Sequence, residues 1–520
     1  MNNNFLPLPQ KIPENIEMWV DEAIWGHRLY DEQTPWLTLL EFLGILQSQI
    51  EVNKGFKEEE NQLNNLKYYY YPRLYLRNLL FNNPYLESIS NQGLAEEACW
   101  KEWEKIMINS CGGINQPVDF SYLRKRFASF KDFVKIIHFF QSNATEGDSN
   151  KRWTSKFVFP YGADCLYSDL RVTGTNFSQD RRFFARTGEL LYLMLCRSGK
   201  GSELKTALLK LGIVREAENP DQTSKWNRII KLLQPEFELT HTREGGNPPY
   251  LPYKKLTEYK DFADDWLRIL NYNLPDYDAI PYLVTLTGLH LIIYLLSRAK
   301  AVLENEESPQ FILEIIAPKK TVIRDLASTS FLENNNFSHQ AVQHYIRSIT
   351  KTTEWDDCKT SPNFLEDTKT LLKEKFAWDG DTANSPDEML DELCEQAISR
   401  HKKHIAKCHS SWAKEIGLVS SRGSRRLRYA PSDSLLKTVV LSTVEHRLEF
   451  QQFLAKLSEK YGFIIGDRQA TKFIEAGEAD QEAFKSNAER LEARLASLGL
   501  LKRLSDACAY VQNPFAVELV

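Results

Sequence analysis

The stretch from Phe450 to Pro514, FQQFLAKLSEKYGFIIGDRQATKFIEAGEADQEAFKSNAERLEARLASLGLLKRLSDACAYVQNP, decides how the C-terminal end of the chain folds. Apolar residues at helical spacing stop at Lys460, and the short apolar run Phe463-Ile464-Ile465 then reads as a strand. Asp467 stands where an N-cap belongs for a helix over 468–476, and Gly477 ends that helix. A longer helix is expected over 481–498, because Phe484, Ala488, Leu491 and Leu495 recur at three- and four-residue spacing and share one face. Gly499 closes it. Leu500 to Ser505 and Ala509 to Gln512 read as two strands about the turn Asp506-Ala507-Cys508, with Asn513-Pro514 ending the element.

The same grammar occurs once before. IGLVSSRGSRRLRYAPS, residues 416–432, aligns with LGLLKRLSDACAYVQNP, residues 498–514. Each stretch follows a helix and opens its first strand on Gly-Leu-apolar. Each carries a tyrosine in the second strand (Tyr429, Tyr510) with a proline soon after (Pro431, Pro514). The order helix, strand, helix, helix, hairpin resembles the winged-helix superfamily. That resemblance implies a winged-helix domain over 446–520 and a first module, resting mainly on its hairpin, over 387–445. The ending SLGLLKRLSDACAYVQNPF, residues 497–515, is also similar to accessory proteins of bacterial phage-defence loci. This likeness is confined to the C-terminal part and transfers no catalytic residue.

Working outward, the rest of the chain reads as helical, so the fold class is mainly α with small β elements. Residues 1–150 form an aromatic-rich helical domain with Trp19, Trp25, Trp36, Trp100, Trp103 and the run Tyr68 to Tyr71. The tyrosines offer stacking surfaces for bases, although packing between helices is the commoner use of such residues. The polar stretch 142–150 marks a boundary. A second helical domain, 151–350, contains a helix over 181–197 capped by Asp180, a strand signal at Phe311 to Ala317, and caps at Asn334 to Asn336 and Ser338 for a helix through Ile346. From Lys351 to Ser399 thirteen Asp/Glu stand against five Lys/Arg, and 351–386 reads as an acidic connector.

At 520 residues the chain is long for a single core. Its 26% charged and 42% hydrophobic residues match an ordinary globular composition. Eight cysteines without a CxxC pair predict reduced thiols, and with no signal-like N-terminus the expected location is cytoplasmic. Ala279 to Ser297 holds nineteen residues without a formal charge, enough for a membrane span or for a buried central helix. Pro281, Thr285, Thr287, Gly288 and His290 favour the buried helix, and no membrane partner is expected.

The net charge of −5 conceals a basic block, for between Arg400 and Arg428 nine Lys/Arg face the single Glu415. Arg422, Arg425, Arg426 and Arg428 surround the turn Gly423-Ser424, with Lys402, Lys403 and Lys407 on the preceding helix. A hairpin tip holds such side chains in solvent, and an anionic partner relieves their mutual repulsion. These residues are the expected nucleic-acid contact, with DNA bound largely regardless of sequence. Docking on the chain's own acidic residues between Glu354 and Glu395, or on an acidic protein, is the competing account. Secondary nucleic-acid candidates are Lys485, Arg490, Arg494, Lys502 and Arg503. From His446 to Val520 ten Lys/Arg meet eleven Asp/Glu, so a protein-docking role for the last module stays open.

Other motifs have plainer readings. Ser198-Gly199-Lys200-Gly201-Ser202 lacks the first glycine and the final hydroxyl of a phosphate loop. Cys394, His401, His404 and Cys408 fall at helical spacing, either as metal ligands or as incidental members of a basic face; the latter is favoured, with no metal or cofactor expected. Asp164, Asp169, Asp180, Arg181, Arg182, Arg186 and Glu189 would serve acid–base chemistry if they converged, against a bland account of capping and an Arg186–Glu189 pair. The reading that follows is a non-enzymatic DNA-binding or scaffold subunit of a bacterial multiprotein system, with anti-phage defence as a candidate role, whose helical N-terminal part contacts other protein subunits. An enzyme with its site between Asp164 and Glu189, and a pure interaction protein, are the alternatives.

Overall fold

The computed structural model describes residues 20–516 apart from 28, 54, 58–62, 64–65, 82, 84, 115–116, 142–161, 165–169, 174–175, 180–183, 217, 220–222, 237–240, 244–248, 318–320, 381–382, 422–425 and 506–507. It is mainly helical with small β elements. The first half contributes α1 (Val20–Trp25), α2 (Pro35–Asn53), α3 (Leu74–Phe81), α4 (Leu86–Ser90), α5 (Glu96–Ser110), α6 (Ser121–Arg126), α7 (Phe130–Gln141), α8 (Thr187–Arg197), α9 (Gly201–Lys210), α10 (Lys225–Leu232), α11 (Thr257–Asn271) and α12 (Asp276–Val302). The second half contributes α13 (Val322–Arg347), α14 (Thr353–Thr360), α15 (Phe364–Phe376), α16 (Pro386–Lys403), α17 (Ile405–Glu415), α18 (Asp433–Thr443), α19 (Phe450–Tyr461), α20 (Thr471–Glu475) and α21 (Gln481–Ser497). Two small antiparallel pairs, β1 (Tyr68–Tyr70) with β4 (His241–Arg243) and β2 (Leu170–Thr173) with β3 (Asn176–Gln179), lie in the first half.

The uncharged run becomes the middle of α12. Tyr277–Val302 is long and apolar enough to cross a membrane, yet 83% of its apolar window is buried inside the protein, where it packs against α2, α11, α13 and α17. Gly288 marks the closest approach, because a Cβ there would stand 2.3 Å from Ile416 and 3.0 Å from Pro35. Buried apolar side chains from Val20 to Val511 join one continuous cluster, and a smaller one gathers Ile312, Ile323, Ile464, Ala470 and Phe484.

The two C-terminal hairpins repeat each other bond for bond at their base. α17 ends at Gly417 (φ 74°) and α21 runs out at Gly499 (φ 71°), both left-handed; Leu418 N–H donates to Ala413 O and Leu500 N–H to Leu495 O. Strands β6 (Val419–Ser420) and β7 (Arg428–Tyr429) pair as β10 (Leu501–Ser505) and β11 (Cys508–Gln512) do. The register corrects the alignment at one point. Tyr429 faces Val419 as Val511 faces Leu501, so Val511 is the counterpart of Tyr429, while Tyr510, opposite Lys502, matches Arg428, opposite Ser420.

The second hairpin takes its third strand from β8 (Arg447–Glu449), giving the order β10-β11-β8. The strand after α19, β9 (Phe463–Ile464), instead runs parallel to β5 (Phe311–Ile312). Glu314 N–H then donates to Tyr429 O at 2.9 Å, tying the β5 segment to β7.

Four local expectations change. Residues 353–360 and 364–376 are helices whose Trp355, Leu371, Leu372 and Phe376 are buried, so the acidic stretch is a folded element and not a connector; its carboxylates occupy the outer faces. α13 runs unbroken through Asn334 to Asn336 and Ser338; Asn334, Asn335 and Ser338 bond to other elements, Asn334 Nδ2 donating to Gln310 O and to the Tyr429 hydroxyl. α20 begins only at Thr471, and Asp467 accepts from Gln481 Nε2 at 3.0 Å instead of capping it. α8 begins at Thr187, and Asp180 lies outside the described residues, as does the 142–150 boundary.

Candidate nucleic-acid interface

The basic block folds into a helix break followed by a hairpin. α16 ends at Lys403, His404 takes φ −130° and ψ −84°, and α17 starts directly at Ile405. Lys402, Lys403 and Lys407 are exposed around this break and make no ion pair among the described residues. The hairpin follows the other end of α17, which at ~1.5 Å per residue puts roughly 16 Å of helix between them. Arg422 and Arg425 lie outside the described residues, and Arg426 is exposed.

Arg428 is a correction. It belongs to β7, whose flank is covered by the β5 segment. Its side chain is 1% exposed and its Nε is ion-paired with Glu314, itself fully buried and joined by Arg324 at 3.4 Å. The β5 segment brings Glu314 against this residue and buries it in an ion pair, so Arg428 cannot reach an outside partner.

Among the secondary candidates, Arg494 pairs with Asp433 at 2.7 Å, Arg503 with Glu492 at 2.8 Å and Lys485 with Glu482 at 3.9 Å. Arg490 donates to Ile315 O and Ser486 Oγ. Lys502 is exposed without an ion pair among the described residues.

The Asp164–Glu189 cluster is held in internal bonds. Glu41, from α2, accepts the N–H groups of Arg186 (3.1 Å) and Gly188 (2.9 Å), while Gln33 accepts that of Thr187 (2.9 Å). A carboxylate from elsewhere in the chain thereby caps α8, where orphan N–H groups and the helix dipole favour negative charge. Arg186 grips Glu189 with two bonds of 2.8 Å, as the i,i+3 spacing predicts, and the Tyr68 hydroxyl donates to the same carboxylate. Asp164 is ion-paired with Arg73 and Arg215. The adjoining cavity, lined by Glu41, Tyr70, Arg73, Asp164 and Arg215 among others, holds about 20 Å³, space for little more than a water. Asp169, Arg181 and Arg182 lie outside the described residues. Lys200 of the glycine-rich loop pairs with Glu203 at 3.0 Å.

The metal-like spacing is broken by the turn at His404. His401 is fully buried and bonds Asp21 and Ser338, and burial pushes the Cys408 thiol well up. No group of three His, Cys, Asp or Glu suited to a metal occurs among the described residues. Burial lowers His409 to about 3, so it stays neutral between Asn335 and the Tyr429 hydroxyl.

One constellation carried no sequence signal. A cleft of about 730 Å³ opens between α11, the end of α12, the 304–309 loop and residues 459–462, lined by Glu258, Asp261, Glu304, Glu306, Glu307 and Glu459 beside Arg298 and Lys460. Next to it, Asp265 accepts from Tyr461 (2.7 Å) and Lys460 and contacts His290 at 2.8 Å. Burial would raise the Asp265 carboxyl, but His290 and then Lys460 hold it below the usual carboxylate range. Asp265 and its partners come from three separate helices, α11, α12 and α19, which no local pattern announces.

Residues 319–513 match the family described as "Methylation-associated defense system protein MAD7". No curated protein and no solved structure matches the chain. The matched span contains the helix break and both hairpins.

Proposed function

We propose that the chain is a non-enzymatic subunit of a methylation-associated defence system, acting in the cytoplasm beside other protein subunits and contacting DNA through its C-terminal part. The observation that carries this reading is the family match over 319–513, a span that includes the strongest basic block in the chain. Three exposed lysines without an ion pair among the described residues support the anionic partner, since like charges gain from neutralisation and counterion release. The secondary arginines Arg494 and Arg503 are spent on internal ion pairs, which supports reading the helix break and first hairpin as the main contact. We read the two hairpin modules as winged-helix variants, supported by the sheet order β10-β11-β8 and by the repeated hairpin base.

Fluorescence anisotropy with duplex DNA across a salt series tests the reading. Affinity should fall with a log–log slope of ~0.9 per phosphate contacted and vary little between sequences. Replacing Lys402, Lys403 and Lys407 with alanine, or Arg422, Arg425 and Arg426, should lower both affinity and slope while leaving the melting temperature in place. If the parent binds no DNA, or both triple variants bind as the parent does, the basic block serves a protein partner instead.

A further inference from the structure

The lysine turn is held from both sides by one N-terminal segment. Beneath it, His401 is fully buried, with Nδ1 2.9 Å from Asp21 Oδ1 and Nε2 3.0 Å from Ser338 Oγ, and its ring stacks on Trp25 at 5.6 Å. The carboxylate can only accept, so Nδ1 carries a proton toward Asp21. The two bonds fix the ring plane. Beside the turn, His404 Nδ1 lies 3.6 Å from Asp31 and its ring lies 5.2 Å from Tyr30. About two turns into α17, Ser411 Oγ donates to Asp31 O at 3.3 Å and Trp412 Nε1 to Gln33 O at 3.1 Å. Asp21 and Trp25 belong to α1, and Tyr30, Asp31 and Gln33 follow it directly, some 380 residues from their partners.

We propose that residues 21–33 act as a clasp that sets the backbone break at His404 and so aims Lys402, Lys403 and Lys407 as one anion-binding face; Asp21, Asp31 and His401 are positioning residues. The part concerning DNA rests on the function proposed above. The break itself follows from the contacts. His401 is the last buried residue of α16, and its two ring bonds pull the helix end toward α1 and α13, while Trp412 and Ser411 anchor α17 along the following segment. The three lysines are exposed within the same turn, residues 402–407.

The sign of one substitution separates positioning from simple electrostatics. Asp31 contacts His404, which lies between Lys403 and Lys407 in the chain, so if its charge merely opposed DNA, Asp31→Ala would tighten binding. If the clasp aims the lysines, Asp31→Ala and Asp21→Ala should both weaken duplex binding, about threefold or more, and lower the salt slope by about one contact. Asp21→Asn, which retains an oxygen acceptor for the Nδ1 proton, should restore most of the affinity. Amide exchange in the full chain gives a readout that needs no DNA. In Asp21→Ala the amides of residues 401–407 should exchange about tenfold faster or more, while those of α21 stay as in the parent. Unchanged exchange at 401–407, or faster exchange spread evenly over the chain, overturns the clasp. Faster local exchange with tighter DNA binding overturns its role in aiming the lysines. A parent that binds no DNA overturns the functional reading, and the exchange result alone then decides whether the clasp sets the turn.

Discussion

His409 shows how burial alone sets a titration. It lies 2% exposed between Asn335 and the Tyr429 hydroxyl, and its folded value of about 3 lies below the value of an exposed histidine. The unfolded chain therefore binds the proton first as pH falls. The stability tied to neutral His409 is complete above about pH 6.5 and is lost toward pH 3, by up to about 1.4 kcal/mol per pH unit. Chemical denaturation between pH 7 and 5 should show a shallower loss in His409→Gln than in the parent; equal slopes would mean that another group titrates there. The Arg186–Glu189 pair makes a harsher prediction. Arg186→Ala would leave Glu189, 1% exposed, without its two strongest donors, and should cost about 3–5 kcal/mol. A loss under about 1 kcal/mol would show that the Tyr68 hydroxyl and His27, whose Nε2 lies 3.8 Å from Glu189, suffice.

At the level of elements, two glycines with nearly the same backbone differ in what surrounds them. Gly499, at φ 71°, has open space where a Cβ would stand, so Gly499→Ala should cost only the left-handed strain, about 1–2 kcal/mol. Gly462, at φ 72°, closes α19 against the β5 segment, and a Cβ there would come within 1.9 Å of Pro309 O. Gly462→Ala must also push β9 away from β5, adding about 1–3 kcal/mol. Similar melting temperatures for the two variants would mean that the β5–β9 pair yields freely. On α21 the apolar face read from spacing is the buried one, since Phe484, Leu491 and Leu495 are fully buried. Leu495→Ala should cost about 2–5 kcal/mol, measured by denaturant unfolding.

Across the whole molecule, the span that matches the defence family does not close its own core. Its polar groups end on residues outside it: His401 on Asp21, Trp412 on Gln33, and Lys460 with Tyr461 on Asp265. Asn513 Nδ2 donates to the Tyr272 hydroxyl, which in turn donates to Leu441 O at 2.7 Å. α12 supplies the apolar wall on which α13 and α17 pack. A fragment of 319–513 should therefore lack a cooperative thermal transition, because removing these partners strands buried polar groups and opens the core. A fragment that melts cooperatively near the temperature of the full chain would show that the span folds alone.

Periodicity and terminating glycines made the local elements legible. The α21 face, the left-handed stop at Gly499, both hairpins and the burial of α12 depend on residues close together in the chain, whose spacing a reader can count. Even the Arg186–Glu189 pair, one helical turn apart, was within reach. What depended on distant partners was not. The cap of α8 comes from Glu41, the burial of Arg428 from Glu314, the folding of the acidic stretch from its neighbours in the core, and the clasp on His401 from Asp21. A charge in sequence reads the same whether it faces water or a buried counter-charge, and only the tertiary fold decides which, because desolvation penalises it until a partner arrives from elsewhere in the chain.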